Sequence, residues 1–161
     1  MVDIARYEPQ DQASAASMVV EIQNAEFGVP ITYEQQPDLI DPAAFFRRGA
    51  GEFWVARADD GAIVGTIGLV EFAAGQGALR KMFVRADHRG PAHGIAQRLL
   101  DALLGHARAH GLETVWLGTT ALFKAAHRFY EKNGFSLVNE ADLPAAFPRM
   151  KPDTRFYRIA L

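Results

Sequence analysis

The residues best suited to chemistry lie between Leu79 and Phe135. Arg89-Gly90-Pro91-Ala92-His93-Gly94 is a glycine-bearing loop between an apolar stretch, Ala78–Val84, and a segment that opens Ile95-Ala96. A strand feeding a glycine loop at a helix start brings backbone N–H groups together, and the helix dipole favours an anion there by about 0.3–1 kcal/mol per charge. Glycine permits close approach and positive φ. Gly90, Gly94 and Ala96 are therefore the small residues of a possible phosphate cradle, Arg89 is its charge partner, and Ala92 and Ile95 complete the loop. Pro91 has no N–H to offer. His93, with an ordinary pKa near ~6.5, is either a pH-dependent contact or a solvated loop residue.

Downstream, Tyr130 in Phe129-Tyr130-Glu131-Lys132-Asn133-Gly134-Phe135 is a candidate proton donor. Two candidate bases stand out. Glu71 ends a hairpin strand, and His127 lies one helical turn before Tyr130, on the same face. Glu26 and Glu34 lie in the N-terminal half, and none of these acids or bases is singled out by its surroundings. Other chemistries fail on residue type. With no cysteine there is no thiolate metal site or Cys nucleophile. Gly-x-Ser-x-Gly is absent, so a serine elbow is not expected. His106 and His110 have metal-pair spacing without a third ligand, and no metal is expected. The loop is neither a Walker loop nor a dinucleotide fingerprint.

These residues must be positioned by elements that the pattern predicts. Ile4–Tyr7 reads as a strand, and Asp11 caps a helix through Phe27. Asp41-Pro42 opens a short helix stopping near Gly49. Glu52–Arg57 and Ala62–Phe72 flank Asp59-Asp60-Gly61, a hairpin signal. Gly94 to about His110 carries the stripe Ile95, Leu99, Leu100, Leu103, Leu104 and Ala107, and Gly111 ends it. Thr114–Thr119 is a strand, Phe123–Asn133 a helix, and Phe135–Val138 and Arg155–Leu161 are closing strands around a proline-rich loop, Glu140 to Asp153. The path from Val84 to Thr114 is long enough for a right-handed parallel crossover. The expected class is α/β (an α+β mixed sheet): a mostly antiparallel central sheet flanked by helices.

Length and composition agree. The 161 residues suit a single domain, 1–161, with 49% apolar and 22% charged residues. A net charge of −2 argues against nucleic acid as a partner. The N-terminus does not read as a signal peptide, and no run approaches the ~20 apolar residues of a membrane span, so no membrane partner and a cytoplasmic location are expected.

Lys81-Met82-Phe83-Val84, the polar turn, Arg89-Gly90, Gly94-Ile95-Ala96 and then Phe129-Tyr130 to Gly134-Phe135 resemble, in order and spacing, the signature of the GNAT N-acetyltransferase superfamily. The resemblance covers Lys81 to Phe135, with the flanking elements in matching order. It implies an acyl-CoA N-acyltransferase fold in which the strand at Ala78–Val84 splays from Thr114–Gly118. The pantetheine arm would then pair with Met82, Phe83 and Val84, with Leu117, Gly118 and Thr119 opposite. It further implies acetyl-CoA as co-substrate and Tyr130 as the acid that protonates the leaving sulfur. The acceptor would be a small-molecule or peptide amine.

Two departures bear on the site. Three residues, Pro91-Ala92-His93, separate two glycines where the family pattern has one. Phe123 stands where many members carry an asparagine, leaving that contact to Thr119, Thr120 or Lys124. An amine of pKa about 10.4 is neutral in roughly one molecule in 2,500 at pH 7, so an assisting base is expected. Glu71, His127 and ordered water remain open for that role. An acyl-CoA sensor without turnover and a nucleotide-binding α/β module are the alternatives, and a homodimer through the C-terminal strands is a possible assembly.

Overall fold

The computed structural model describes residues 1–161. Seven strands form one sheet in the order β1-β2-β3-β4-β5-β7-β6. They are β1 (Val2–Arg6), β2 (Glu52–Ala58), β3 (Ile63–Ala73), β4 (Gln76–Val84), β5 (Thr114–Thr119), β6 (Ser136–Val138) and β7 (Arg155–Ala160). Every neighbouring pair is antiparallel except β4 and β5. The mixed, mostly antiparallel sheet is the expected one, and its parallel pair is joined by the expected crossover.

The helices are α1 (Gln12–Glu21), α2 (Pro37–Ile40), α3 (Pro42–Phe46), α4 (Ile95–Ala109) and α5 (Lys124–Lys132). α4 forms where the apolar stripe demands it, and all six stripe residues are buried against one face of the sheet. Gly94, with a φ of 66°, enters the helix. Gly111, with a φ of 77°, ends it, and Leu112 N–H closes back on the Ala107 carbonyl at 3.0 Å. The core on this face joins Leu99, Leu103, Leu117, Tyr130 and Tyr157. On the opposite face Ala15 and Val19 of α1, with Ile22 just after it, pack against Phe53, Val55 and Ile63.

The N-terminal region differs from expectation in two ways. The expected helix to Phe27 widens after Glu21 into a π turn, Ile22–Glu26, where Phe27 N–H reaches the Ile22 carbonyl at 3.1 Å. Reciprocal amide hydrogen bonds between buried Gln23 and Gln36, at 2.9 and 3.0 Å, tie this turn to the segment after it. That segment, to which the sequence reading assigns no element, makes α2, because Pro37 supplies a preset first-turn φ. No helix is long and apolar enough to cross a membrane.

Leu103 is fully buried between α4 and the sheet. Leu103→Ala is expected to lower the unfolding free energy by about 2–5 kcal/mol in urea titration, with little change in the slope against urea.

Candidate active site

β4 and β5 share a register over only four pairs, from Gln76↔Thr114 to Leu79↔Leu117. Beyond Leu79, β4 stays in the sheet through β3 alone, while Gly118 and Thr119 are paired only with β7. The two parallel strands therefore part, and the main-chain edges that face each other across the gap have no strand partner.

A bulge in β4 sits where the parting begins. The register passes from Gly68↔Arg80 to Thr66↔Phe83, so Lys81 and Met82 both stand opposite the single residue Ile67. Such a bulge bends its strand and increases its twist. Lys81 has a φ of 55°, the sole non-glycine residue in the left-handed region. Its carbonyl is held by the hydroxyl of buried Thr66, which donates to it at 2.6 Å.

The bulge also places two consecutive side chains on one face, which a regular strand would not do. Lys81 Nζ lies 2.9 Å and an Arg80 guanidinium nitrogen 3.2 Å from the same carboxylate oxygen of Asp38. Asp38 is fully buried on α2. Its other oxygen and Arg80 Nε are buried without a hydrogen-bond partner. The guanidinium stacks over Phe45, 5.0 Å from the ring centre. Burial lowers the Lys81 pKa, and the facing Asp38 carboxylate opposes that shift.

A third segment closes on this cluster from the C-terminal loop. Met150 Sδ is 3.7 Å from Lys81 Nζ, and Met150 N–H donates to Asp153 Oδ2 at 3.0 Å. The Asp153 carboxylate lies against Gly118, where a methyl group would come within 2.4 Å of Oδ2. On the other face of the sheet Tyr130 is buried, its ring 5.6 Å from Phe135 and 6.0 Å from Tyr157. Burial, then the charge of Asp153, pushes its phenol well above the usual tyrosine value.

The structure places the sequence-selected residues as follows. Met82, Phe83 and Val84 line the unpaired edge of β4, and Thr119 ends β5 across the gap, its carbonyl accepting Thr154 N–H at 2.9 Å. Gly90, Ala92, His93 and Gly94 form an exposed turn into the start of α4, where Ile95 and Ala96 follow. His93 stands 5.7 Å from His88. Lys124 opens α5.

Arg89 is already engaged. Its Nε donates to the Val84 carbonyl at 2.7 Å, and its other nitrogens form a two-point ion pair with Glu26. That pair holds the Glu26 carboxyl below its usual range.

The two candidate bases are less well placed. His127 Nε2 lies 2.8 Å from the Thr120 carbonyl. Glu71 accepts Ala50 N–H at 2.9 Å and pairs with Gly77, on the part of β4 still bonded to β5. Phe123, in place of asparagine, packs edge-on against Phe27 at 4.8 Å and Phe83 at 6.0 Å.

Thr66, Asp38 and the paired Arg80 and Lys81 side chains escaped the sequence reading. A bulge leaves no mark in residue periodicity, and nothing around Asp38 in the sequence sets it apart from the other acids.

A family model described as "Acetyltransferase (GNAT) family" matches residues 16–135. The chain belongs to the GNAT acetyltransferase family. By family it is an acyltransferase, and its sheet is the GNAT sheet. A GNAT-family acetyltransferase from Staphylococcus aureus Mu50 superposes with a TM-score of 0.95 at 32% identity, covering 99% of both chains.

N-acetylaspartate synthetase from Danio rerio is 35% identical over 107 residues, which span 65% of this chain and 37% of that protein. The match thus covers little more than a third of that relative. N-acetylglutamate synthase from Neisseria gonorrhoeae, solved with coenzyme A and N-acetyl-glutamate, shares the fold at a TM-score of 0.76 and 19% identity, over all of this chain and 35% of that one.

The Thr66 hydroxyl is the hold on the bulge of this GNAT protein. Thr66→Val keeps the side-chain shape and orphans the Lys81 carbonyl, so a loss of about 1–3 kcal/mol is expected in chemical denaturation. A stability equal to wild type would show that the bulge stands without it.

Proposed function

We propose that this GNAT protein moves an acetyl group from acetyl-CoA to a primary amine by direct attack within a ternary complex, residues 1–161 acting as a single domain. The observation that carries the reading is the parting of β4 from β5 beside Tyr130. An extended ligand with amide groups can complete both free edges as an added strand would, so Met82, Phe83 and Val84 are assigned to the pantetheine arm. The turn from Gly90 to Gly94 and the first N–H groups of α4, at Ile95 and Ala96, are assigned to the pyrophosphate. Arg89, Lys124, Ala92, His93 and Thr119 border the donor.

Tyr130 is assigned as the acid for the leaving sulfur. Its phenol stays protonated throughout the working range, because burial raises its pKa. A thiolate expelled into the same desolvated pocket has its own proton affinity raised for the same reason, so the pair remains matched for transfer. No covalent acyl-enzyme is needed, since no cysteine is present.

The gonococcal synthase, with coenzyme A on the same fold, supports the donor, and the name of the zebrafish relative supports an amino acid amine as the first acceptor class to try. Calorimetric titration of the chain with acetyl-CoA, with ATP and NAD⁺ as controls, tests the donor. Thiol release with a panel of primary amines, amino acids among them, tests the transfer. Binding of acetyl-CoA alone is expected, and its absence would sink the reading. Tyr130→Phe is expected to keep acetyl-CoA affinity and lower kcat by about 10²–10⁴-fold. An unchanged kcat would remove Tyr130 from the chemistry.

A further inference from the structure

Direct transfer needs a group to take the proton of the attacking nitrogen. On the function proposed above, on which this inference rests, the two candidates near the sheet are poorly placed. Glu71 holds the Ala50 N–H where β4 and β5 are still paired, and His127 faces the Thr120 carbonyl. We propose that Asp153 is the proton acceptor for the acceptor amine, working from the face of β5 opposite Tyr130.

The placement follows from strand alternation. Val115 and Leu117 point into the α4-side core that holds Tyr130, so Gly118 looks out on the other face. The Asp153 carboxylate fills the space that a side chain at Gly118 would take. Gly118 is also the first β5 residue past the last β4–β5 pair, Leu79↔Leu117. Acid and base thus flank the gap from its two sides, at the level where it opens.

One Asp153 oxygen takes the Met150 N–H, the one protein hydrogen bond that shapes its titration. The other is left for an incoming nitrogen. The charges around it are balanced, with Arg80 and Lys81 on β4 and Arg149 on the loop set against Asp38, Asp153 and Glu140, so the surroundings do not select for an ammonium ion. Burial raises the Asp153 pKa, while the Met150 N–H, Arg80, Lys81 and Arg149 oppose it. It is therefore a stronger base than a surface aspartate, with cations on two segments opposing the effect of burial. The charge of Asp153 is, after burial, the next cause of the raised Tyr130 pKa.

The step balances. The amine nitrogen forms its bond to the acetyl carbonyl carbon, and the C–S bond breaks with its electron pair left on sulfur. The surplus proton on nitrogen passes to Asp153, and sulfur takes a proton from Tyr130 Oη. Exchange with water returns the proton from Asp153 and restores the one on Tyr130, so that one N–H has become one S–H.

The test uses the full chain, acetyl-CoA and two nucleophiles: the best primary amine of the panel above, and hydroxylamine, a weakly basic amine whose surplus proton after attack is acidic enough to pass to water unaided. Asp153→Asn keeps an oxygen for the Met150 N–H and removes the base. Acetyl-CoA affinity is expected to stay at the wild-type value. kcat with the primary amine should fall about 10²–10⁴-fold and lose its acid limb, while hydroxylamine loses less than about tenfold.

The sign of the pH effect is fixed by the base. Activity rises with pH as Asp153 ionises, and its raised pKa sets that limb above the position of an ordinary aspartate. Arg149→Gln, on the half-exposed loop, removes one opposing cation and should move the limb further up. The assignment is overturned by wild-type kcat and an intact limb in Asp153→Asn, or by equal losses with both nucleophiles. Should Asp153→Asn fail to fold, an Arg149→Gln limb that does not move overturns it instead. A wild type that fails to bind acetyl-CoA overturns the proposed function itself. A wild type that binds and turns over beside an unaffected Asp153→Asn overturns the assignment of Asp153 alone.

Discussion

Adjacent parallel strands stay together only while their main chains remain within hydrogen-bonding reach, and in this chain that reach ends after Leu79 and Leu117. Much of the rest of the architecture keeps the resulting gap from closing or spreading. On one side, β3 holds β4 through and beyond the bulge, with Thr66 gripping the Lys81 carbonyl. On the other, β7 pairs with β5 along its whole length, from Thr114↔Ala160 to Thr119↔Arg155. Main-chain groups left facing a gap inside a sheet are costly unless something meets them. On the function proposed above, an interior edge of this kind would be completed by an extended amide-bearing ligand.

The charged cluster under the gap carries a second cost. Asp38 is fully enclosed, and its ion pairs with Lys81 and Arg80 recover part of the desolvation penalty of bringing all three inside. Replacing such a cluster by apolar side chains is often neutral or stabilising, so its presence is not explained by stability. What it does mechanically is join three distant parts of the chain. Asp38 comes from the N-terminal helices, the two cations from the bulge, and Met150 from the loop before β7. The walls of the gap are thereby registered to one another by a few short polar contacts rather than by a broad apolar seam.

How much of this was legible in the sequence depends on whether a feature is local. α4 was readable to within a residue at each end, because its stripe repeats at the helical period and glycines mark both termini. β5 was readable in full, as a short apolar run between turn signals. The bulge was not, since Lys81 and Met82 read as two more residues of an ordinary strand until the partner strand shows them sharing Ile67. Arg89 was noticed for its charge, but its partner Glu26 is 63 positions away and arrives only because the π turn ends α1 beside the loop. Asp153 was readable only as the last residue of the proline-rich loop. Its meeting with Gly118 depends on the path of the proline-rich loop, which no periodicity describes.

The Glu26–Arg89 pair links these levels. A guanidinium reserved for a phosphate would be left unpaired in the free protein, whereas here it is neutralised by a carboxylate and braced by the Val84 carbonyl at the end of β4. Both side chains remain about one-third exposed, so the pair is a partly screened one of modest worth, within about 1 kcal/mol. A phosphate carrying more charge than a carboxylate can displace Glu26 at little cost, and Arg89 need not travel, because its Nε anchor on β4 is untouched by the exchange. Phe27, next in the chain to Glu26, packs on Phe123 just before α5, and Phe123 in turn packs on Phe83 of β4. On the function proposed above, an exchange of partners at Arg89 would therefore act one residue away from an aromatic contact that bridges β4 and the segment after β5.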